Sequence, residues 1–377
     1  MRKSLRTDNP LTTMKDAPDS RASAEGTARY AQRFASRFAA DFYRAGAGAT
    51  VSSIGFGTYL GASDDADDAA YSAAIRHAIA SGVNLLDTAI NYRCQRSERA
   101  LGAAIQAVLG ADEARRDELV VCTKGGYIPL DDCPPPTRAD YQAYVQREFI
   151  APEIVHPSEI VGGGHSLAPR FIRYCVAKSR QNLGLRTIDL YYVHNPEQQL
   201  GSVESGELYA RLESVFAMLE DAADRGEIGG YGVATWDGLR TPPNEPGHLS
   251  LERVVAAARQ VGGATHRLSA VQLPINLAMS EAVRSPTQIV GNRQMTALEA
   301  ASELGLMAVG SAPLMQARLT SGLPPALVEA FPALQTDAQR ALAFARAVAG
   351  VSSVLVGMRQ TGHIDENLDA ARVGGAS

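Results

Sequence analysis

From residue 51 onward the chain alternates short apolar runs with longer stretches whose apolar positions recur at helical spacing. The short runs predict strands over Ser53–Thr58, Val83–Asp87, Leu119–Thr123, Ile188–His194, Gly230–Ala234, Ala270–Leu273, Met307–Gly310 and Ser353–Val356. The longer ones predict helices over Ala69–Ala80, Ser97–Val108, Pro169–Leu183, Leu208–Arg225, Leu251–Val261, Thr296–Leu304, Ala338–Val348 and Ile364–Ala370. Gly82 and Gly184 stand where a left-handed residue ends a helix. Ser97, just before Glu98 and an apolar run, reads as an N-cap. Leu119–Cys122 is apolar without alternation, as a strand covered on both faces requires. Strand–helix alternation argues for a parallel sheet with helical crossovers. About eight such units fit a closed (β/α)8 TIM barrel. The rival is an open doubly wound sheet, but Gly55–Gly61 (GFGTYLG) lacks the spacing of a dinucleotide-binding glycine loop.

Before residue 51 the pattern differs. The chain to about Gly26 is polar and irregular, and reads as a tail. Tyr30, Phe34, Phe38 and Phe42 then recur every four residues among Arg33, Arg37 and Arg44, which predicts an amphipathic helix. Such a basic helix either packs on the main domain or lies on a membrane surface, and its shortness and alanine content favour packing. The expected division is therefore residues 1–50, tail and helix, and 51–377, the barrel, with an insertion at about 128–166.

Length and composition narrow the function classes. A chain of 377 residues with 45% hydrophobic and 20% charged positions builds a full core and is neither disordered nor fibrous. A net charge of -5 without a basic block argues against nucleic acid as a partner. Cys94, Cys122, Cys133 and Cys175 show no CxxC spacing, so neither a zinc site nor a disulfide framework is expected. The first residues are basic but lack a following apolar core, so no signal peptide and no membrane association are expected, and the chain reads as cytoplasmic.

The barrel reading directs attention to the C-terminal ends of the strands, where such folds carry their chemistry. Three consecutive predicted strands end in ionisable residues: Asp87, Lys124 and His194. Singly, each reads as a salt-bridged rim residue, because a charge at the end of an apolar strand needs a partner. Together, with Tyr92 in the loop after Asp87, they suggest a proton donor. A tyrosine titrates near 10, and a neighbouring ammonium favours its phenolate. Asp87 would hold Lys124, with His194 orienting the transfer to a carbonyl oxygen.

At these residues the chain resembles the aldo-keto reductase family. Leu85–Gly102 (LLDTAINYRCQRSERALG) is the most specific stretch, and GFGTY, CTKGG, the segment Ser166–Glu197, VQLPINL, SAPLMQARL and VLVGMRQTGHIDENL follow the family's order. The resemblance implies a nicotinamide-dependent carbonyl reductase or alcohol dehydrogenase with a tetrad of Asp87, Tyr92, Lys124 and His194. It implies a cofactor, NADP(H) rather than NAD(H), bordered by Gly57, Thr58, Tyr59, Asp87, Thr235, Gln272 and Ser311, Ala312, Pro313, Leu314. The adenosine end would fall on Gly357, Met358, Arg359, His363, Glu366 and Asn367, with Arg359 taking a 2′-phosphate by a charge-assisted fork. The chain departs from the family at Ala234–Thr235, where Ser-Asn is common, and at Ser311, where a stacking tyrosine is. It departs also at Arg93 and Gln95, where glycines are usual, and at His363, where an arginine is.

The long excursion between Lys124 and Pro169 predicts a lid or pocket wall built from Tyr127, Tyr141, Tyr144 and Phe149, against a sideways-packed appendage. Trp236 and the residues near Asn195 are candidate pocket walls, with core packing the favoured role for Trp236. The expected partner is a small-molecule carbonyl or alcohol, the chain acting as a monomer or homo-oligomer. The altered Ala234, Thr235 and Ser311 keep open a nicotinamide-binding regulatory barrel, and the Tyr–Lys pair keeps open a non-redox lyase or isomerase.

Overall fold

The structure, a computed structural model, describes residues 21–372. The polar N-terminal stretch expected as a tail falls mostly outside the described residues, as does the segment read for a signal peptide.

Twelve strands occur in the described residues: β1 (Tyr43–Gly46), β2 (Ala49–Ser52), β3 (Ile54–Gly57), β4 (Leu85–Asp87), β5 (Val120–Gly125), β6 (Ile188–His194), β7 (Ile228–Ala234), β8 (Leu268–Pro274), β9 (Gln288–Val290), β10 (Arg293–Met295), β11 (Met307–Ser311) and β12 (Val351–Gly357). Eight of them close in the order β11-β12-β3-β4-β5-β6-β7-β8, and neighbouring strands run parallel. The fold is the expected (β/α)8 TIM barrel. Outside it, β1–β2 and β9–β10 form antiparallel hairpins.

The helices are α1 (Ala24–Phe34), α2 (Asp65–Ala80), α3 (Arg96–Gly110), α4 (Arg138–Val145), α5 (Pro169–Leu183), α6 (Ser205–Asp224), α7 (Leu251–Gly262), α8 (Glu281–Arg284), α9 (Ala297–Glu303), α10 (Pro325–Ala330), α11 (Asp337–Ala347) and α12 (Thr361–Asp369). The core has two layers. One lies between the sheet and the helices and includes Tyr191 and Val193. The other fills the barrel itself and includes Leu85, Cys122, Leu190 and Tyr192. Alternate residues of one strand thus serve opposite faces, each of them apolar. Tyr192 fits inside because residue 232 is glycine; a Cβ there would stand 2.8 Å from its ring.

Two expectations are corrected, the aromatic repeat and the Ser97 cap, and the favoured packing of the basic helix on the barrel is found. The aromatic repeat does not make one helix: α1 ends at Phe34, a short turn spans Ala35–Arg37, and Phe38 is extended. The Phe38 and Phe42 rings instead stack at 3.9 Å as the chain reverses toward β1. The basic face of α1 is matched to the barrel, not to lipid: Arg29 and Arg33 pair with Glu118. Ser97 is not an N-cap; α3 begins at Arg96, and the Ser97 hydroxyl donates to the Thr58 carbonyl at 2.9 Å.

Among the described residues no helix is long and apolar enough to cross a membrane.

Candidate active site

Strand parity decides which side chains meet. Leu85, Val120, Cys122, Leu190, Tyr192 and Ala270 point into the barrel. Counting by twos along the same strands, Asp87, Lys124, His194 and Gln272 point inward too, at the C-terminal ends. Parallel register aligns them: Asp87 lies opposite Cys122, Lys124 opposite Tyr192, and His194 opposite Ala234, which itself faces Gln272.

Lys124 is 1% exposed. Its ammonium makes an ion pair with Asp87 and donates to the Thr88 carbonyl at 2.8 Å. The second Asp87 oxygen accepts from Gln272 Nε2 at 2.9 Å. Buried charge is thereby paired and hydrogen-bonded, the condition under which it is tolerated. Lys124 Nζ stands 5.2 Å from the centroid of the Tyr92 ring. The Tyr92 ring also meets His194 edge-on at 5.9 Å and Tyr59 at 5.0 Å. The four residues expected from the sequence therefore converge on one mouth of the barrel.

Tyr92 is held by a costly backbone. Arg93, Cys94 and Gln95 follow it with φ of 47°, 53° and 67°. Each left-handed non-glycine residue costs about 1–2 kcal/mol. The surrounding bonds hold the strain in place: Arg93 Nε donates to the Ala62 carbonyl at 2.6 Å and its Nη2 reaches Asp68 at 2.6 Å. Gln95 donates to the Leu130 carbonyl at 3.0 Å and accepts from Asn182 at 3.1 Å. These side-chain anchors stand where the family resemblance expects glycines.

The electrostatics correct one expectation. Burial pushes the Tyr92 phenol above its ordinary value, and the Lys124 ammonium pulls it only part of the way back. The resting phenol is thus protonated, not acidified overall. Burial disfavours the Lys124 ammonium, but Asp87 and Tyr92 outweigh this and hold its pKa above the usual lysine value. Burial, with the Lys124 charge adding to it, drives His194 well below the ordinary histidine range, so its ring is neutral.

A cavity of about 740 Å³ opens above these groups, within the usual range for small-molecule sites. It runs from Tyr92 and His194, past Thr235 and Gln272, to the start of α12. Gly57, Thr58, Tyr59, Asp87, Thr235, Gln272, Ser311, Ala312, Pro313, Leu314, Gly357, His363, Glu366 and Asn367 all line it. Met358 and Arg359 do not. Met358 is fully buried. Arg359 turns to Asp67 in an ion pair, so its fork is engaged by a carboxylate of α2 and does not face the cavity. Trp236, read as core, is 40% exposed and walls the cavity. Asn195 lines it as expected.

Of the insertion's aromatics only Tyr127 reaches the cavity. Phe149 is fully buried and packs its ring against Phe171 and Tyr174 of α5, with Tyr144 against Phe149. The excursion is a side appendage on α5 and not a lid, because its apolar residues find a helix face closer than the mouth.

Three buried polar atoms at the mouth have no hydrogen-bond partner within the described residues: Asn91 Oδ1, His194 Nδ1 and Thr235 Oγ1. Such groups are costly unless a ligand satisfies them. Asn91 was missed in the sequence, where it reads as an ordinary turn residue before Tyr92. The other omission is His165, fully buried, whose Nε2 lies 2.7 Å from the His194 carbonyl. Among the described residues no cluster of His, Cys, Asp and Glu has the arrangement to hold a metal ion.

Comparison with known proteins gives one family match. Residues 53–241 match the model of the aldo/keto reductase family. A D-threo-aldose 1-dehydrogenase of a Pseudomonas species is 29% identical over 197 residues, 51% of this chain and 52% of that protein. The chain thus spans about half the length of the curated relative it matches. Among solved structures, an aldo/keto reductase from Klebsiella pneumoniae in complex with NADP and acetate aligns with a TM-score of 0.58 at 20% identity, covering 88% of this chain and 90% of that one. The holo form of an aldo-keto reductase from Bacillus halodurans aligns with a TM-score of 0.58 at 17% identity, covering 89% and 92%.

Proposed function

The chain belongs to the aldo/keto reductase family, and from that premise we propose that it is an NADP(H)-dependent oxidoreductase that reduces a small aldehyde or ketone, or oxidises the corresponding alcohol, with Tyr92 as the proton donor and acceptor. The observation that carries this reading is the meeting of Asp87, Tyr92, Lys124 and His194 beneath an open cavity.

The residues present fit a nicotinamide dinucleotide. The unpartnered Thr235 hydroxyl and the Gln272 side chain stand beside the tetrad, as a carboxamide requires. The floor at Gly57 and Gly357 is open, since a Cβ on either would meet nothing closer than 3.6 Å. At the far end Thr336, Glu366 and Asn367 offer polar groups to an adenosine. When bound, the nicotinamide supplies or takes the hydride. NADP(H) is favoured and NAD(H) is possible, Arg359 being the cation available to a 2′-phosphate once it leaves Asp67.

This chain's own groups handle the proton. The neutral Tyr92 phenol donates to the substrate oxygen as negative charge develops there. Lys124 gains interaction energy with Tyr92 as the phenolate forms, and Asp87 keeps Lys124 charged and in place. Neutral His194 completes the wall on which the substrate oxygen rests. The remainder of the mouth suits a hydroxylated substrate: Asn91 and the Asn195–Tyr127 hydrogen bond, 3.0 Å, supply polar contacts. Tyr59 and Trp236 supply the flat aromatic faces against which a sugar ring lies. The aldose activity in the name of the Pseudomonas relative agrees with that reading.

The test is nicotinamide absorbance with NADPH and NADH against a panel of aldoses, aldehydes and ketones. Tyr92→Phe should lower kcat by at least 10²-fold, the order of a positioned acid, and leave dinucleotide binding intact. Turnover surviving that change would refute Tyr92 as the donor.

A further inference from the structure

Behind the tetrad lies a second line of polar groups. His165 sits where the long excursion returns to the barrel, pinned by main-chain bridges to Tyr127 and Val161. It is fully buried, as is Gln199, five residues beyond His194. His165 Nε2 lies 2.7 Å from the His194 carbonyl oxygen. His165 Nδ1 lies 2.8 Å from Gln199 Nε2. The Gln199 oxygen lies 2.5 Å from Arg211 Nη1.

The direction of this line is fixed at both ends: the His194 carbonyl can only accept, so His165 Nε2 must carry a hydrogen, and Arg211 sets the other end. A guanidinium only donates, so Gln199 must turn its oxygen to Arg211 and its amide hydrogen to His165. His165 Nδ1 then accepts, the single proton of the neutral ring sits on Nε2, and that proton is donated to the His194 carbonyl. A protonated ring would set an Nδ1 hydrogen against the Gln199 amide hydrogens. Burial holds His165 down to about 4, which keeps the ring neutral in ordinary conditions. The neighbours facing it agree: the Tyr127 ring meets His165 edge-on at 4.9 Å and His194 at 5.1 Å. Residue 126 is glycine because a Cβ there would stand 2.8 Å from the His194 oxygen and 2.9 Å from His165 Nε2.

We propose that Arg211, Gln199 and His165 form a one-way hydrogen-bond relay that positions His194 through its main-chain carbonyl, with Arg211 holding Gln199 in the orientation that bonds His165 Nδ1. His194 itself has no partner at Nδ1, so its ring angle is set from behind, by this carbonyl bond and by Tyr127, and not by a bond to the ring. His165 is a positioning residue. Its effect on turnover rests on the oxidoreductase reading above, whereas its tautomer does not.

Two measurements test the relay. The first is nitrogen NMR of the histidine rings in the whole protein. His165 should show the neutral Nε2–H form, and Arg211→Met, a change at a partly exposed site, should shift the His165 Nδ1 resonance by freeing Gln199 to turn over, with the Nε2–H form retained. The second is kinetics with NADPH and D-glyceraldehyde. His165→Phe should lower kcat roughly tenfold, since small misplacements at a reacting centre are costly, with KM for NADPH within about twofold. His165→Gln, which keeps a donor toward the His194 carbonyl, should recover most of the loss. Arg211→Met should lower kcat about threefold. A wild-type Nδ1–H tautomer, or unchanged kcat in both Arg211→Met and a folded His165→Phe, overturns the relay. If His165→Phe fails to fold, Arg211→Met decides alone. A wild-type protein that turns over no carbonyl sinks the oxidoreductase reading, and the tautomer measurements still decide the relay.

Discussion

Neutralising both members of the Asp87–Lys124 pair should cost no more than neutralising one. Lys124→Met leaves the Asp87 carboxylate 3% exposed with Gln272 as its remaining hydrogen-bond donor. Asp87→Asn leaves a buried ammonium with the Thr88 carbonyl. Unit charges in contact, at an effective dielectric near 20, attract by roughly 4–6 kcal/mol. Removing one partner of a buried pair costs about 3–5 kcal/mol, because the other charge stays buried and uncompensated. The double variant Asp87→Asn/Lys124→Met has no buried charge at this point, so it should be no less stable than the worse single variant. That corresponds to a coupling of about 3 kcal/mol, read from urea unfolding of the four proteins at about pH 7. Single effects that add to within about 0.5 kcal/mol would refute the argument, since additivity means the charges do not interact. Turnover should be lost in all three variants, because Tyr92 then faces either no ammonium or one that Asp87 no longer holds charged and in place.

Other consequences are as direct. Asp67→Asn removes the carboxylate that holds Arg359; with the Arg359 side open to solvent, the pair is worth about 1 kcal/mol, so the ratio of kcat/KM for NADPH over NADH should rise two- to fivefold, and an unchanged ratio would exclude Arg359 from phosphate recognition. Phe149→Ala should destabilise the protein by about 3–5 kcal/mol while leaving KM for aldehyde unchanged, and a raised KM would restore the insertion to the pocket wall. His165 has its pKa lowered from 6.5 to about 4, so its contribution to stability is complete above about pH 6.5 and is lost as pH falls toward 4. That contribution is roughly 3 kcal/mol; the stability gap between wild type and His165→Gln should shrink by that order between pH 7 and 4, and a constant gap would show that His165 does not resist protonation.

The barrel and its mouth were legible because both follow from local periodicity. A strand buried on two faces reads as an apolar run, and its polar last residue must lie at an end, so Asp87, Lys124 and His194 announced themselves. What stayed hidden depends on distance through space. The β1–β2 hairpin turns at Ala47–Gly48, but its strands are short and carry no alternation strong enough to register. The aromatic repeat from Tyr30 to Phe42 has helical spacing, yet the stacking of Phe38 on Phe42 breaks it. Nothing in the order of residues says that Arg359 lies beside Asp67, or that Phe149 prefers α5 to the cavity. His165 did leave a trace, in the run Gly162–His165 at the end of the excursion. A histidine after three glycines gives no hint of Gln199 and Arg211, which arrive from the loop after β6 and from α6.

Burial raises Tyr92, and this changes what Lys124 is for. A lysine that merely made the resting phenol acidic would favour the phenolate before any substrate arrived, and a donor already deprotonated cannot donate. Here the phenol keeps its proton because desolvation disfavours the phenolate, and the ammonium pulls in the opposite direction without prevailing. In the reaction proposed above, its attraction is realised in full only when negative charge reaches the phenol oxygen during transfer. That is stabilisation of the transition state in preference to the ground state, the kind that raises kcat and not merely affinity. The same arrangement requires the ammonium to be neutralised at rest, or its burial would be unaffordable, and Asp87 does this through its ion pair. His194, neutral and carrying no charge of its own, leaves that balance undisturbed. A site built this way gains rate from keeping its acid weak until the moment of use.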